Sequence, residues 1–178
     1  RQQLLQLRVL VLELLQSLGE LTGGTVSTKV PLMEVPIPDG WLSRLDVRMD
    51  IEASFNWTNS ANTKEWGISI GPGTAAGGVV GDSVDIRTLS FTTTASISDK
   101  IVLQRSAETP TRFFLAVPNN ARYFGNTASA GTTVGVLASA SIDPDSTGRS
   151  LWVWGRLGNI ADQVSLEHLF VQMQRGVS

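Results

Sequence analysis

The chain has 178 residues, 42% of them hydrophobic, which is enough for one well-buried domain plus an appendage. A formal net charge of −2 gives no electrostatic case for nucleic acid or an anionic membrane as partner. The absence of cysteine excludes disulfides and thiolate metal sites, and a single histidine, His168, argues against a histidine zinc centre or a Ser–His triad.

The chain opens on Arg1, as expected of a processed or excised chain. Its first pattern is "LLQLRVLVLELLQSLGEL", residues 4–21. Arg8 and Glu13 interrupt it, and a membrane-spanning helix needs about 20 mostly apolar residues, so membrane insertion is not expected. It also lacks the basic start and small-residue cleavage site of a signal peptide. Leu4, Leu7, Val11, Leu14, Leu18 and Leu21 recur at alternating intervals of three and four, the spacing of a heptad seam. Gly23 and Gly24 supply a C-terminal stop. The spacing therefore predicts a coiled-coil stalk helix over 1–24. Leu5, Leu10, Leu12 and Leu15 widen the apolar face beyond that seam. A wide face suits three or more helices, or docking on another protein. The alternative is a helix lying across its own domain.

After Gly24 the helical period ends. Residues 25–40, with Pro31, Pro36 and Pro38, read as an extended linker or lead-in strand. The head domain is expected over 41–178. Its clearest strand alternates Leu45, Val47, Met49, Ile51, Ala53, Phe55 and Trp57 with polar residues from Arg44 to Asn56, one dry face and one wet. "TNSANT" reads as a loop, "KEWGISIGPG" as a short strand ending in glycine and proline, and "TAAGGVVGDS" as a flexible loop. Further strands are expected near 84–91, 99–106, 111–117, 132–142, 149–157 and 163–174, joined by turn-rich segments. In the last of these the apolar phase shifts, which predicts a bulge near Glu167 and His168. The fold class is thus mainly β: an N-terminal coiled-coil helix, then an antiparallel jelly-roll-like β-sandwich.

Candidate chemistry is sparse. The carboxylate pairs Asp143 with Asp145 and Asp82 with Asp85 lie among glycine, serine and proline, as turn formers do, so the chain is not expected to be an enzyme. "DPDS" offers oxygen ligands, but calcium takes six to eight, and neither a metal nor a cofactor is expected. His168 reads as a packed or interfacial residue, or as a pH switch at a trimer axis. Trp152 and Trp154 share a strand phase, either as core or intersubunit packing or as a sugar-stacking platform. "PNNARYFGN" sets Tyr123 and Phe124 among Asn119, Asn120, Arg122 and Asn126. Aromatic plates beside amide and guanidinium donors make that loop a candidate glycan-binding site.

The stretch "VPIPDGWLSRLDVRMDIEASFNWTNSANTKEWGISIGP" resembles the C-terminal β-sandwich of tailed-bacteriophage virion proteins, tail fibres and head fibres among them. The matching pieces are Ile37 to Leu42, Leu45 to Trp57, Thr58 to Lys64 and Trp66 to Gly71. "KIVLQRSAET" is similar to that group's mid-domain strand and turn, and "LGNIADQVSLEHLFVQM" to its closing strand. The resemblance spans roughly residues 36–174. The long "GPGTAAGGVVGDSVDIRTLS" insertion and the tryptophan content depart from the pattern.

The resemblance implies a homotrimeric projection of the virion, packed around a threefold axis, with other virion proteins and host-surface carbohydrate as partners. Two alternatives stand beside it. One is a capsid decoration or cement protein bridging coat subunits. The other is a non-viral, trimeric, lectin-like sandwich.

Overall fold

The computed structural model describes residues 10–12, 20–22, 28–44, 47–93, 96–105, 112–116, 122–124, 136–138 and 147–175. In chain order the strands are β1 (Leu10–Leu12), β2 (Glu20–Thr22), β3 (Val30–Pro36), β4 (Val47–Trp57), β5 (Lys64–Pro72), β6 (Val84–Phe91), β7 (Ser96–Arg105), β8 (Arg112–Ala116), β9 (Arg122–Phe124), β10 (Val136–Ala138), β11 (Arg149–Leu157) and β12 (Gln163–Arg175). Two short 3-10 turns, Thr74–Ala76 and Val80–Asp82, lie between β5 and β6. No helix among the described residues is long and apolar enough to cross a membrane.

The strands form two antiparallel sheets. The larger runs β1-β12-β4-β7-β8-β10, with β2 also on β12 and β9 also on β7; the smaller runs β3-β11-β5-β6. The alternation along β4 explains the packing. Val47, Met49, Ile51, Ala53, Phe55 and Trp57 are buried, while Arg48 and Asn56 are exposed. From the smaller sheet, Trp66, Ile68, Ile70, Leu151, Val153 and Leu157 meet Met49, Ile51, Ala53, Phe55 and Trp57 in one core. Phe55 and Trp66 stack across the two sheets with ring centroids 4.6 Å apart, and Trp57 stacks on Phe55 at 5.8 Å. Such a pair adds about 0.5–1.5 kcal/mol beyond the area it buries. The result is a β-sandwich-like fold.

The closing strand carries its phase shift where the apolar pattern breaks. Leu166 pairs with Phe55 and His168 with Ser54, so the register slips across Glu167. This bulge lets Val164 and Leu166 on one side of it, and Leu169, Val171 and Met173 on the other, all enter the core.

The helix expected over 1–24 is not what the described part of that segment forms. Leu10–Leu12 pair antiparallel with Val171–Met173, and Glu20–Thr22 with Gln163–Ser165. Of the seam residues, Val11 and Leu21 therefore lie in strands, while Leu4, Leu7, Leu14 and Leu18 fall outside the described residues. The physical reason is competition for backbone partners. β12 has one edge on β4, and its other edge would present open N–H and C=O groups. A lone helix of three heptads is marginal in water, whereas leucine and valine runs are accepted by a sheet edge. Residues 30–36, read from sequence as linker or lead-in strand, form β3 and pair with β11. Pro31 and Pro36 sit on that edge strand, where a missing N–H costs no ladder bond.

Two buried polar groupings tie the sandwich together. Arg87 on β6 and Asp99 on β7 face each other across the sheets, 2% and 1% exposed, with the guanidinium Nε donating to Asp99 Oδ2 at 2.9 Å. Burial pushes the Asp99 carboxyl up, opposed by the Arg87 charge and its hydrogen bond and by the Lys100 amide. At one end of the sandwich Lys64 is fully buried and donates to the Ser60 carbonyl (3.2 Å), Ser60 Oγ (2.8 Å) and the Asn62 carbonyl (2.8 Å). Ser60 Oγ donates in turn to Asp162 Oδ1 at 2.8 Å, and Asp162 Oδ2 stands 4.0 Å from the ammonium. Burial lowers the Lys64 pKa, and the Asp162 charge works against that shift. The "TNSANTK" loop and the "LGNIAD" turn are thereby held by one knot.

Breaking either grouping from one side leaves a buried charge uncompensated. Asp99→Ala is expected to cost about 3–5 kcal/mol in urea unfolding, while the double variant Arg87→Met/Asp99→Leu recovers most of that loss. Lys64→Met is expected to cost about 3–5 kcal/mol by the same measurement, and Ser60→Ala about 1–2 kcal/mol.

Candidate functional site

β11 is buried on both faces from Ser150 to Gly155. Leu151 and Val153 point into the core, so Trp152 and Trp154 lie on the opposite, outer face of the smaller sheet. That face is covered by the segment from Gly73 to Ser83, which crosses it as a strap. Val80 packs with Trp152 and Trp154 in a second small apolar cluster. The indole N–H of Trp152 donates to the Pro72 carbonyl at 3.1 Å. Gly67 makes room for the neighbouring ring: a Cβ there would stand 2.2 Å from Trp154 Cζ2.

Trp154 belongs to a closed polar ring. Its indole N–H donates to Ser69 Oγ (2.6 Å), which donates to Asp85 Oδ1 (2.7 Å). Lys29 Nζ donates to the same oxygen at 2.6 Å and sits 4.8 Å above the Trp154 ring centroid. A desolvated cation over an indole is favourable by about 2 kcal/mol, and by about 0.5–1 kcal/mol at an exposed site. Lys29 is part-exposed, so the lower figure applies.

The strap is anchored at its start. The Glu34 carboxylate accepts hydrogen bonds from the Thr74 amide (2.9 Å), Thr74 Oγ1 (2.7 Å) and Ser150 Oγ (2.7 Å). The Gly73 amide donates to the Gly148 carbonyl at 2.8 Å. Gly77 then turns with φ of +76°, a conformation a side chain would strain. Beyond it Val79 is 58% exposed, one of two large hydrophobic residues so placed among the described residues. Between strap and sheet lies a cleft of about 680 Å³, with Lys29, Pro31, Val79, Val80, Trp152 and Arg156 among its lining. Arg156 donates through Nε to Glu65 Oε2 at 2.6 Å and forms an ion pair with it. Both residues border a second, smaller depression with Thr63 and Gly158. The two basic residues of the cleft thus each carry a carboxylate partner, and its rim is close to neutral.

The residues singled out in the sequence are scattered. Trp152 and Trp154 are brought together, but beneath the strap rather than as an open platform; Trp152 is 3% exposed. Arg122, Tyr123 and Phe124 form β9, whose backbone pairs with Ser96–Ser98, while Asn119, Asn120 and Asn126 lie outside the described residues. Asp82 closes a 3-10 turn by accepting from the Val79 amide at 3.4 Å, and Asp85 is engaged by Lys29 and Ser69, so the two are not a pair. Asp143 and Asp145 lie outside the described residues. His168 is exposed at the bulge of β12. No group of three or more His, Asp or Glu that could hold a metal occurs among the described residues.

Sequence reasoning missed Lys29, Val79 and Arg156, and read the strap as a flexible loop. The available signal was Val79–Val80, an apolar pair inside a glycine-rich stretch on the same chain as two tryptophans of one strand phase.

Glu34 supplies a pH-dependent test of the anchor. Burial acts to raise its pKa, but the Ser150 hydroxyl and the Thr74 hydroxyl and amide outweigh it, so the carboxyl lies below its ordinary 4.5. A depressed carboxylate pKa contributes stability that is present above the unfolded value and lost as pH falls through the folded one. Limited proteolysis within 74–83 is therefore expected to accelerate below pH 4.5. In Glu34→Gln it is expected to be faster at neutral pH and to lose that acid dependence.

Comparison with known proteins finds no matching family model, no similar curated protein and no similar solved structure.

Proposed function

We propose that this chain is a structural, non-enzymatic component of a bacteriophage virion: the jelly-roll-like head of a trimeric fibre or spike that contacts the host surface. The virion assignment is supported by the resemblance over 36–174. Two of its motif stretches, 58–64 and 157–173, meet in the Lys64–Ser60–Asp162 knot, so the residues that carry the likeness also bear on how the sandwich holds together.

One observation carries the oligomer. The opening segment, 4–21, has apolar residues at 4, 5, 7, 9, 10, 11, 12, 14, 15, 18 and 21. This is more than one face of one strand or helix can hide, because strand residues alternate between faces. Fully burying one leucine is worth about 1.5–3 kcal/mol, so neighbouring copies are the natural cover. Cyclic closure of three copies gives each sandwich two neighbours, and three weak surface contacts then act together.

A second reading has an observation in its favour. The pairing of Leu10–Leu12 and Glu20–Thr22 along β12 keeps those residues on the sandwich instead of in a projecting rod. A decoration protein lying flat on coat subunits fits that placement.

Native mass measurement of the whole chain is expected to give three copies per particle at micromolar concentration; a monomer there would reject the trimer. Immunogold labelling of intact particles separates the readings. Label on projections supports the fibre, label spread evenly over the shell supports decoration, and absence from particles rejects both.

A further inference from the structure

We propose that the cleft beneath the strap binds a short neutral saccharide, with Pro31 and Val79 against its C–H surface and Arg156 with Glu65 gripping its hydroxyls. The inference deepens the reading of the chain as a surface-contacting head and rests on it for its biological sense.

The chemistry of the lining selects the ligand class. Pro31, Val79, Val80 and Trp152 give the cleft an apolar wall. The apolar faces of a pyranose need such a wall, and Val79 stands exposed at its mouth with no core to serve. Thr28 adds a hydroxyl that both donates and accepts, and Thr74 Oγ1, whose proton goes to Glu34, can accept. The charged groups are paired, and this decides between an ionic and a neutral ligand. Arg156 is bound by Glu65, and Lys29 by Asp85 at 2.6 Å. A phosphate or carboxylate would have to approach Arg156 and Lys29 against carboxylates already in place. A cation would meet the converse obstacle. A diol escapes both, because one hydroxyl can accept from the guanidinium while its neighbour donates to the carboxylate.

The shape agrees. A volume of about 680 Å³ lies within the range of small-molecule sites. Arg156 borders both this cleft and the depression formed with Thr63, Glu65 and Gly158. A chain of two or more sugar units could therefore lie across the Arg156–Glu65 pair. Gly81, which lines the cleft, puts no side chain in the way, since open space surrounds its Cβ position. The strap is held at its start by Glu34, so the wall is preformed and little ordering opposes binding.

The test uses the whole chain in isolation, screened on an array of neutral and acidic bacterial saccharides. Hits are then titrated by tryptophan emission. At least one neutral saccharide is expected to bind. Arg156→Ala and Val79→Asp should each weaken it about tenfold or more, the loss of a charge-assisted hydrogen bond or of an apolar contact surface. Ile160→Ser, at an exposed apolar position away from the cleft, should leave it unchanged. Melting temperatures measured alongside separate loss of binding from loss of fold, and Val79→Asp changes a residue that carries no core packing. Binding confined to acidic saccharides would overturn the proposal. So would no binding at all, or binding indifferent to both cleft variants. The outcome is independent of copy number and of position on a particle, so failure here leaves the assembly reading standing, and the reverse.

Discussion

The two central strands of the smaller sheet, β5 and β11, are dry on both faces, and much else follows from that constraint. Each strand residue of β11 from Ser150 to Gly155 is removed from water, yet only alternate residues can reach the core between the sheets. The other set includes two tryptophans, and indoles left in water would forgo the largest apolar burial any side chain offers. The chain supplies its own cover from the connection that follows β5. That cover brings secondary demands. Gly67 must lack a Cβ, the Trp154 N–H needs the Ser69 hydroxyl, and Glu34 must hold the strap where it begins.

The same logic explains why the polar interior is organised as it is. A sandwich of two short-edged sheets can slide, because apolar contacts are not directional. Arg87 with Asp99, and Lys64 with Ser60 and Asp162, add contacts that are satisfied in only one register. Their net worth against apolar replacements is small, but each is costly to break from one side. Lys64 is the more economical of the two, since its three donors are all taken by acceptors of the loop it closes.

Much of the strand plan could be read directly. Residues 84–91 and 149–157 are strands over the spans their alternation and flanking turns indicate, and the bulge in β12 lies where the apolar phase changes. The shared phase of Trp152 and Trp154 was legible too; that it faces away from the main core was not. What covers them was not, because a glycine-rich stretch is locally compatible with a loop, and only the position of β5 beside β11 carries it across the indoles. No local pattern marks Lys64 as buried; its burial depends on Asp162, distant in sequence.

The opening segment marks the boundary between the two kinds of information. By itself the sequence determined that these residues must be covered, that the body is β, and which face of each long strand is apolar, because periodicity and composition are local properties. Whether leucines spaced by threes and fours become a helix or an edge strand is decided elsewhere. Leu10–Leu12 and Glu20–Thr22 are strands because the free edge of β12, some 140 residues or more away along the chain, offers backbone partners to both stretches. The cleft likewise arises only in three dimensions. Lys29, Val79, Trp152 and Arg156 come from four separate parts of the chain, and no local pattern couples them.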